Sequence, residues 1–204
     1  MTNAEHPSIH RASSTTWSIS TCLNPSILCP QAITMSTAGA TLPDPPRDVE
    51  SIAAIEQSLV FPSFTANTAW ELGNALRFRL LDFPTPAVIN ITLANSDQLL
   101  FHTVTRSGTL PDNDTWVARK RATVLRWGFS SWYMHNKLGG DEAKFAAKYM
   151  LGERAGQFAI HGGGFPVRVK GVEGIVGVIV VSGLKQEWDH QIIVETVEKY
   201  LKSQ

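Results

Sequence analysis

From Asp48 onward the apolar positions fall into two rhythms. Val49, Ile52, Ile55 and Leu59 recur at helical spacing behind Asp48, a residue type suited to capping a first turn, and Pro62 closes that helix. A second helix is predicted from near Thr65, with Ala69, Leu72, Leu76 and Leu80 on one face and an end before Pro84 and Pro86. The period then drops to two. Ile89, Ile91 and Leu93 alternate with Asn90 and Thr92. Phe101, Thr103 and Thr105 alternate with His102 and Val104 across the polar stretch Asn95-Ser-Asp97. That pattern predicts a β-hairpin.

Leu110-Pro-Asp-Asn-Asp-Thr115 predicts a helix start, and the helix is expected to run to about Lys137. Its expected core stripe is Ala118, Ala122, Leu125, Phe129 and Trp132, beside a polar stripe of Arg119, Thr123, Arg126 and Ser130. Gly139-Gly140 ends it, and a shorter helix follows with Phe145 and Tyr149 one turn apart. Two strands come next: Phe158 to Val169, interrupted by three glycines, and the almost wholly apolar Gly174 to Ser182. In the last helix His190, Ile193, Val197 and Leu201 share a face. The order ααββααββα predicts an α+β fold with a mostly antiparallel sheet of four or five strands and helices on both faces.

Residues 1–47 read differently. They are rich in Ser and Thr, carry little charge before Arg47, and end in Pro43, Pro45 and Pro46, a composition expected to form a disordered tail ahead of a domain spanning 48–204. For residues 1–34 a transit segment, a disordered extension and a true start at Met35 all stay open. Eighteen basic residues balance eighteen acidic ones, so the overall charge predicts no nucleic-acid partner. Both cysteines, Cys22 and Cys29, lie in the tail, which leaves the domain without a thiolate metal site and favours a reducing compartment. The longest apolar run, Ile175 to Val181, is far short of the ~20 residues a membrane helix needs, so no transmembrane segment is expected.

Catalytic chemistry has little to stand on. His161-Gly-Gly-Gly invites comparison with the oxyanion loop of lipase-like hydrolases, but the chain holds no Gly-x-Ser-x-Gly elbow. Gly162, Gly163 and Gly164 suit either a tight bulge between strands or a ligand cradle, and both readings stand. His161 beside them and His190 and Asp189 at the start of the last helix are candidate ligand contacts, either histidine being able to serve as a haem ligand. No metal-binding motif is present. Trp127, Phe129, Trp132 and Tyr133 encircle one expected helix, more than a single core stripe buries. With Trp116, Arg119 and Lys120 they predict a face that meets another copy or a partner.

Pro111-Asp-Asn-x-x-Trp116-x-x-Arg119-Lys120, His161-Gly-Gly-Gly-Phe-Pro166, and Gly177-Val-Ile-Val-Val-Ser-Gly183 followed by Asp189-His190 resemble the haem-degrading-domain-like family, which includes GlcG-like and HbpS-like proteins. The likeness is strongest to its yeast-type cytosolic branch and runs from about Asp48 to the C-terminus. It implies a profilin-like three-layer α-β-α sandwich, homo-oligomeric assembly, and a cytoplasmic location. With the missing catalytic constellation and the surplus aromatics on the Trp116–Trp132 helix, it points to a non-enzymatic binding role, in that branch connected with delivering tail-anchored membrane proteins to the endoplasmic reticulum through the targeting machinery. Haem binding or breakdown, or sensing of a small ligand at His161–Pro166, is the alternative it implies. Val180 stands where bacterial members usually carry glycine, which sets this chain apart from their haem site.

Overall fold

Apolar residues two apart on three neighbouring strands fill one side of a sheet. Ile89 and Ile91, Phe165 and Val167, and Ile179 and Val181 pack with Leu72, Leu76, Ile193 and Val197 in a single buried cluster. The computed structural model describes residues 42–204. Its elements are α1 (Val49–Ser58), β1 (Val60–Phe61), α2 (Ala66–Leu80), β2 (Val88–Leu93), β3 (Leu99–Val104) and α3 (Pro111–Trp127). Then come α4 (Ser131–Lys137), α5 (Glu142–Lys148), a 3-10 segment (Gly152–Gln157), β4 (Gly164–Val169), β5 (Gly177–Ser182) and α6 (Gln186–Lys202).

The strands form one sheet in the order β1-β4-β5-β2-β3. β1 runs parallel to β4, and the other pairings are antiparallel. α2 and α6 cover one face, while α3 lies on the other, where Val117 and Val124 meet Val88, Val178 and Val180. This is the expected α-β-α sandwich with a mostly antiparallel sheet. β1 was not expected, because two residues are too few to show a period. The packing also begins before Asp48: Leu42 and Pro45 are buried, and the Pro46 carbonyl accepts a hydrogen bond from Trp132 Nε1 at 2.9 Å.

The long helix expected to reach Lys137 is in fact two. Gly128 adopts a left-handed conformation (φ 70°) that ends α3, and the Ser130 side chain caps α4 by accepting from Tyr133 N–H. The break changes which side chains share a face. Ala118 is exposed, and α3 buries Val117, Lys120, Thr123 and Val124 instead of the expected stripe. Trp132, carried by α4, is fully buried, and Trp127 packs against Phe145, Tyr149 and Phe158 at centroid distances of 5.0–5.2 Å. The surplus aromatics therefore find their second surface within the chain. Trp132 and Lys120 offer nothing to a partner, contrary to expectation.

The α1–α4 junction carries a buried acid. Glu56 accepts from Ser130 N–H at 3.1 Å through one carboxylate oxygen, and the other has no partner among the described residues. Burial pushes its carboxyl up from the ordinary 4.5 to about 7, against the opposing pull of the Ser130 contacts and Arg168. A folded-state value above the unfolded one means the native protein binds the extra proton, so stability falls as pH rises from about 4.5 to 7. Glu56→Gln keeps an acceptor for Ser130 and removes the charge. It is expected to raise stability at pH 8 by up to about 3 kcal/mol, because each pH unit between the unfolded and folded values is worth about 1.4 kcal/mol. Urea unfolding of both proteins from pH 5 to 8 checks this, and parallel pH profiles would show that Glu56 does not titrate in that range.

Candidate functional site

Three residues of α3 spaced three and four apart, Asn113, Trp116 and Lys120, stand on one side of the helix and wall a pocket of about 350 Å³. His161, from the turn ahead of β4, and Ser182, Gly183, Leu184, Gln186 and Asp189, from the β5–α6 junction, complete it. At its floor Lys120 Nζ lies 2.9 Å from Asp189 Oδ2 and donates to the Val181 carbonyl at 3.1 Å, with both charged side chains 3% exposed. The Asp189 carboxylate also accepts from Leu184 N–H at 3.0 Å and Gly183 N–H at 3.4 Å, tying down the turn that opens α6. Burial pushes the Asp189 carboxyl above its ordinary value, opposed by Lys120 and those two amides.

The glycines serve this floor from behind. A Cβ on Gly163 (φ 111°) would lie 2.3 Å from the Val181 carbonyl oxygen, 2.8 Å from Asp189 Cβ and 2.9 Å from Lys120 Nζ. A Cβ on Gly162 would lie 2.3 Å from the Gln186 carbonyl oxygen, and one on Gly164 3.0 Å from Val124 Cγ2. The protein's own atoms occupy the space before all three, so they permit close chain approach, and of His161–Pro166 it is His161 that lines the pocket.

His161 meets Trp116 edge-on at 5.0 Å, and the Arg119 guanidinium lies 4.5 Å over the Trp116 ring. Glu142 Oε1 sits 3.3 Å from the buried His161 Nδ1, too oblique for a hydrogen bond. Burial is the main reason the imidazole is held below its usual range, with Glu142 opposing, so it is neutral at pH 7. The carboxylate favours the tautomer with the proton on Nδ1, which leaves a lone pair on Nε2.

His190 does not join His161. It is buried beside Trp132 and Phe165, both at 6.0 Å, and burial alone lowers its pKa to about 3. It belongs to the core. The histidine electrostatically coupled to His161 is His135, which stacks on Trp132 at 5.1 Å and approaches the Gln186 amide at 3.5 Å, while Gln186 Oε1 accepts from Gly162 N–H at 3.2 Å. Asn113, Glu142, Ser182 and Gln186 were not among the expected site residues. Asn113 and Ser182 lie inside the motifs that carry the family resemblance, which was the available signal, whereas nothing in the local pattern of Glu142 and Gln186 separates them from surface polar residues.

Among the described residues no group of three or more His, Cys, Asp or Glu side chains is arranged to hold a metal ion. No helix among them is long and apolar enough to cross a membrane.

Known proteins share this chain and this architecture. The UPF0303 protein of Streptomyces coelicolor is 39% identical over 162 residues, 79% of this chain and 98% of that protein. The crystal structure of the Ybr137w protein superimposes with a TM-score of 0.71 at 32% identity, covering 76% of this chain and 88% of that one. The crystal structure of HbpS, 17% identical with a TM-score of 0.52 over 68% of this chain and 89% of its own, shares the fold. Residues 64–198 match the family described as haem degrading protein HbpS-like, and with these relatives they show that the chain belongs to it.

Proposed function

We propose that the protein works by binding a small molecule in the pocket between Trp116, His161 and the β5–α6 turn. The observation that carries this reading is the Lys120–Asp189 pair beneath an open, aromatic-walled cavity. Burying two charges costs several kcal/mol per ion before their attraction is counted, and apolar side chains would serve packing at least as well. A concave site with an aromatic wall and a few fixed polar groups is what ligand recognition uses.

A competing reading, haem as the ligand, is favoured by one further observation, the neutral His161 with Glu142 beside Nδ1. His161 would hold the iron through Nε2, with the Glu142 carboxylate beside Nδ1 adding to the basicity of the ring. When bound, haem would supply iron redox chemistry. His190, enclosed in the core, takes no part.

A second kind of contact, with protein, is supported elsewhere on the surface. Trp70, Phe78 and Leu99 are exposed by 56–69% of their area along α2 and β3. Association of copies in the cytoplasm, or handling of tail-anchored proteins with the targeting machinery, would use those side chains.

A melting-temperature screen of metabolites that includes hemin tests the pocket. A true ligand stabilises the protein, by about 2.7 kcal/mol at a hundredfold excess over its Kd. The effect is expected to vanish in Trp116→Ala. For hemin, a shifted Soret band is expected in the wild type and in His190→Ala but not in His161→Ala. Stabilisation unchanged by Trp116→Ala moves the ligand elsewhere, and a Soret shift retained in His161→Ala removes His161 as the residue that holds the iron.

A further inference from the structure

Resting on the pocket reading above, and against haem as the occupant because haem carries two carboxylates, a census of its hydrogen-bonding groups narrows the ligand. The acceptors at the cavity floor are engaged by the protein, and among the described residues His161 Nε2 and the Ser182 hydroxyl are the ones left open on its wall. Asp189 takes Lys120 and two backbone amides, Gln186 Oε1 takes Gly162 N–H, and Asn113 Oδ1 takes Leu110 N–H at 2.7 Å. The donors are not. Lys120 Nζ carries three N–H groups and has two acceptors, Val181 O and Asp189 Oδ2. Asn113 Nδ2 and the Ser182 hydroxyl donate to nothing among the described residues, and both line the cavity.

Charge narrows it again. Lys120 is neutralised 2.9 Å away by Asp189, so the floor offers donors without net positive charge. A carboxylate there would approach Asp189 and gain little from a cation already paired. An ammonium group would meet the unengaged donors of Lys120 and Asn113 and find an acceptor only at the wall, in His161 Nε2 or the Ser182 hydroxyl. A carbonyl oxygen on an uncharged ring accepts from Lys120, Asn113 or Ser182 and leaves the ion pair as it is, while a planar body suits the wall of Trp116 and His161.

We infer that this pocket recognises an uncharged planar molecule through a carbonyl edge, of the amide, lactam or imide class.

Two matched series test it on the full chain by calorimetry. One is nicotinamide, nicotinate and 3-(aminomethyl)pyridine, and the other is indole-3-acetamide, indole-3-acetate and tryptamine. In at least one series the amide is expected to bind about tenfold or more tighter than both the acid and the amine. Asn113→Asp keeps an acceptor for Leu110 N–H, so the start of α3 stays capped, but it removes two donors. It is expected to weaken the amide about tenfold and to favour the amine relative to wild type. Ser182→Ala, which adds no charge, is expected to weaken the amide alone. An acid or amine that binds as tightly as its amide overturns the carbonyl inference while leaving the pocket in place. So does an amide preference untouched in both variants. If no member of either series binds while the metabolite screen finds a ligand lost in Trp116→Ala, the carbonyl inference falls and the pocket reading stands; if that screen also finds none, both fall.

Discussion

Lys120→Met is expected to cost about 3–5 kcal/mol, because it leaves the Asp189 carboxylate buried with two backbone amides and no cation. For a domain of this size that is a drop in melting temperature on the order of 10 °C. Methionine matches the lysine stem in length, so packing along Val181 is largely kept and the loss reports the stranded charge. Asp189→Asn in the Lys120→Met background removes that charge and retains one acceptor for the turn that opens α6. The double variant is therefore expected to be more stable than Lys120→Met alone, with a coupling energy of about 1–3 kcal/mol from the full cycle. Additive losses would mean that the two side chains stabilise the fold independently.

Gly163→Ala is expected to be comparably severe for a different reason. Its backbone sits at φ 111°, and a Cβ would come 2.3 Å from the Val181 carbonyl oxygen, which is backbone and cannot swing aside. Strained conformation and overlap together should remove about 3 kcal/mol or more. Gly171→Ala is the control, since Gly171 also has a positive φ (77°) but faces open space. There only the conformational cost applies, about 1–2 kcal/mol. Denaturant midpoints of the two variants separate the two effects, and equal losses would refute the crowding argument at Gly163.

How far the sequence carried depends on how local each signal is. The α2 stripe, the β2–β3 alternation and the buried face of α6 were legible because each is written within a few turns of chain. The face of α3 was misread because its buried side carries Lys120 and Thr123, which count as polar in any period analysis. Lys120 goes inward for a partner 69 residues away, and Thr123 Oγ1 goes inward to donate to the Ala159 carbonyl at 2.7 Å. No spacing rule announces either partner. The helix break was legible in principle. Gly128 followed two residues later by Ser130 is a stop and a start, but the aromatic run across it read as one continuous surface. Of the candidate ligand contacts, His161 and Asp189 reach the pocket and His190 does not, although Asp189 and His190 are adjacent in sequence. Neighbours on a helix point about 100° apart, and here one faces the cavity while the other faces Trp132.

The two rims of the sheet are unequal. β1 presents two residues at one rim, whereas β3 presents six at the other, with Leu99 56% exposed. A sheet that grows without limit needs a usable rim on both sides, as amyloid stacks have. Among the described residues β3 is the long exposed rim. On the opposite side β1 pairs only with Arg168 and Val169 of β4, and the β4 residues 164–167 lying beyond it are buried, so strand-to-strand pairing through β3 would use the accessible rim. Such pairing through one rim closes at two copies by a twofold axis, which opposes fibre growth along the hydrogen-bonding direction.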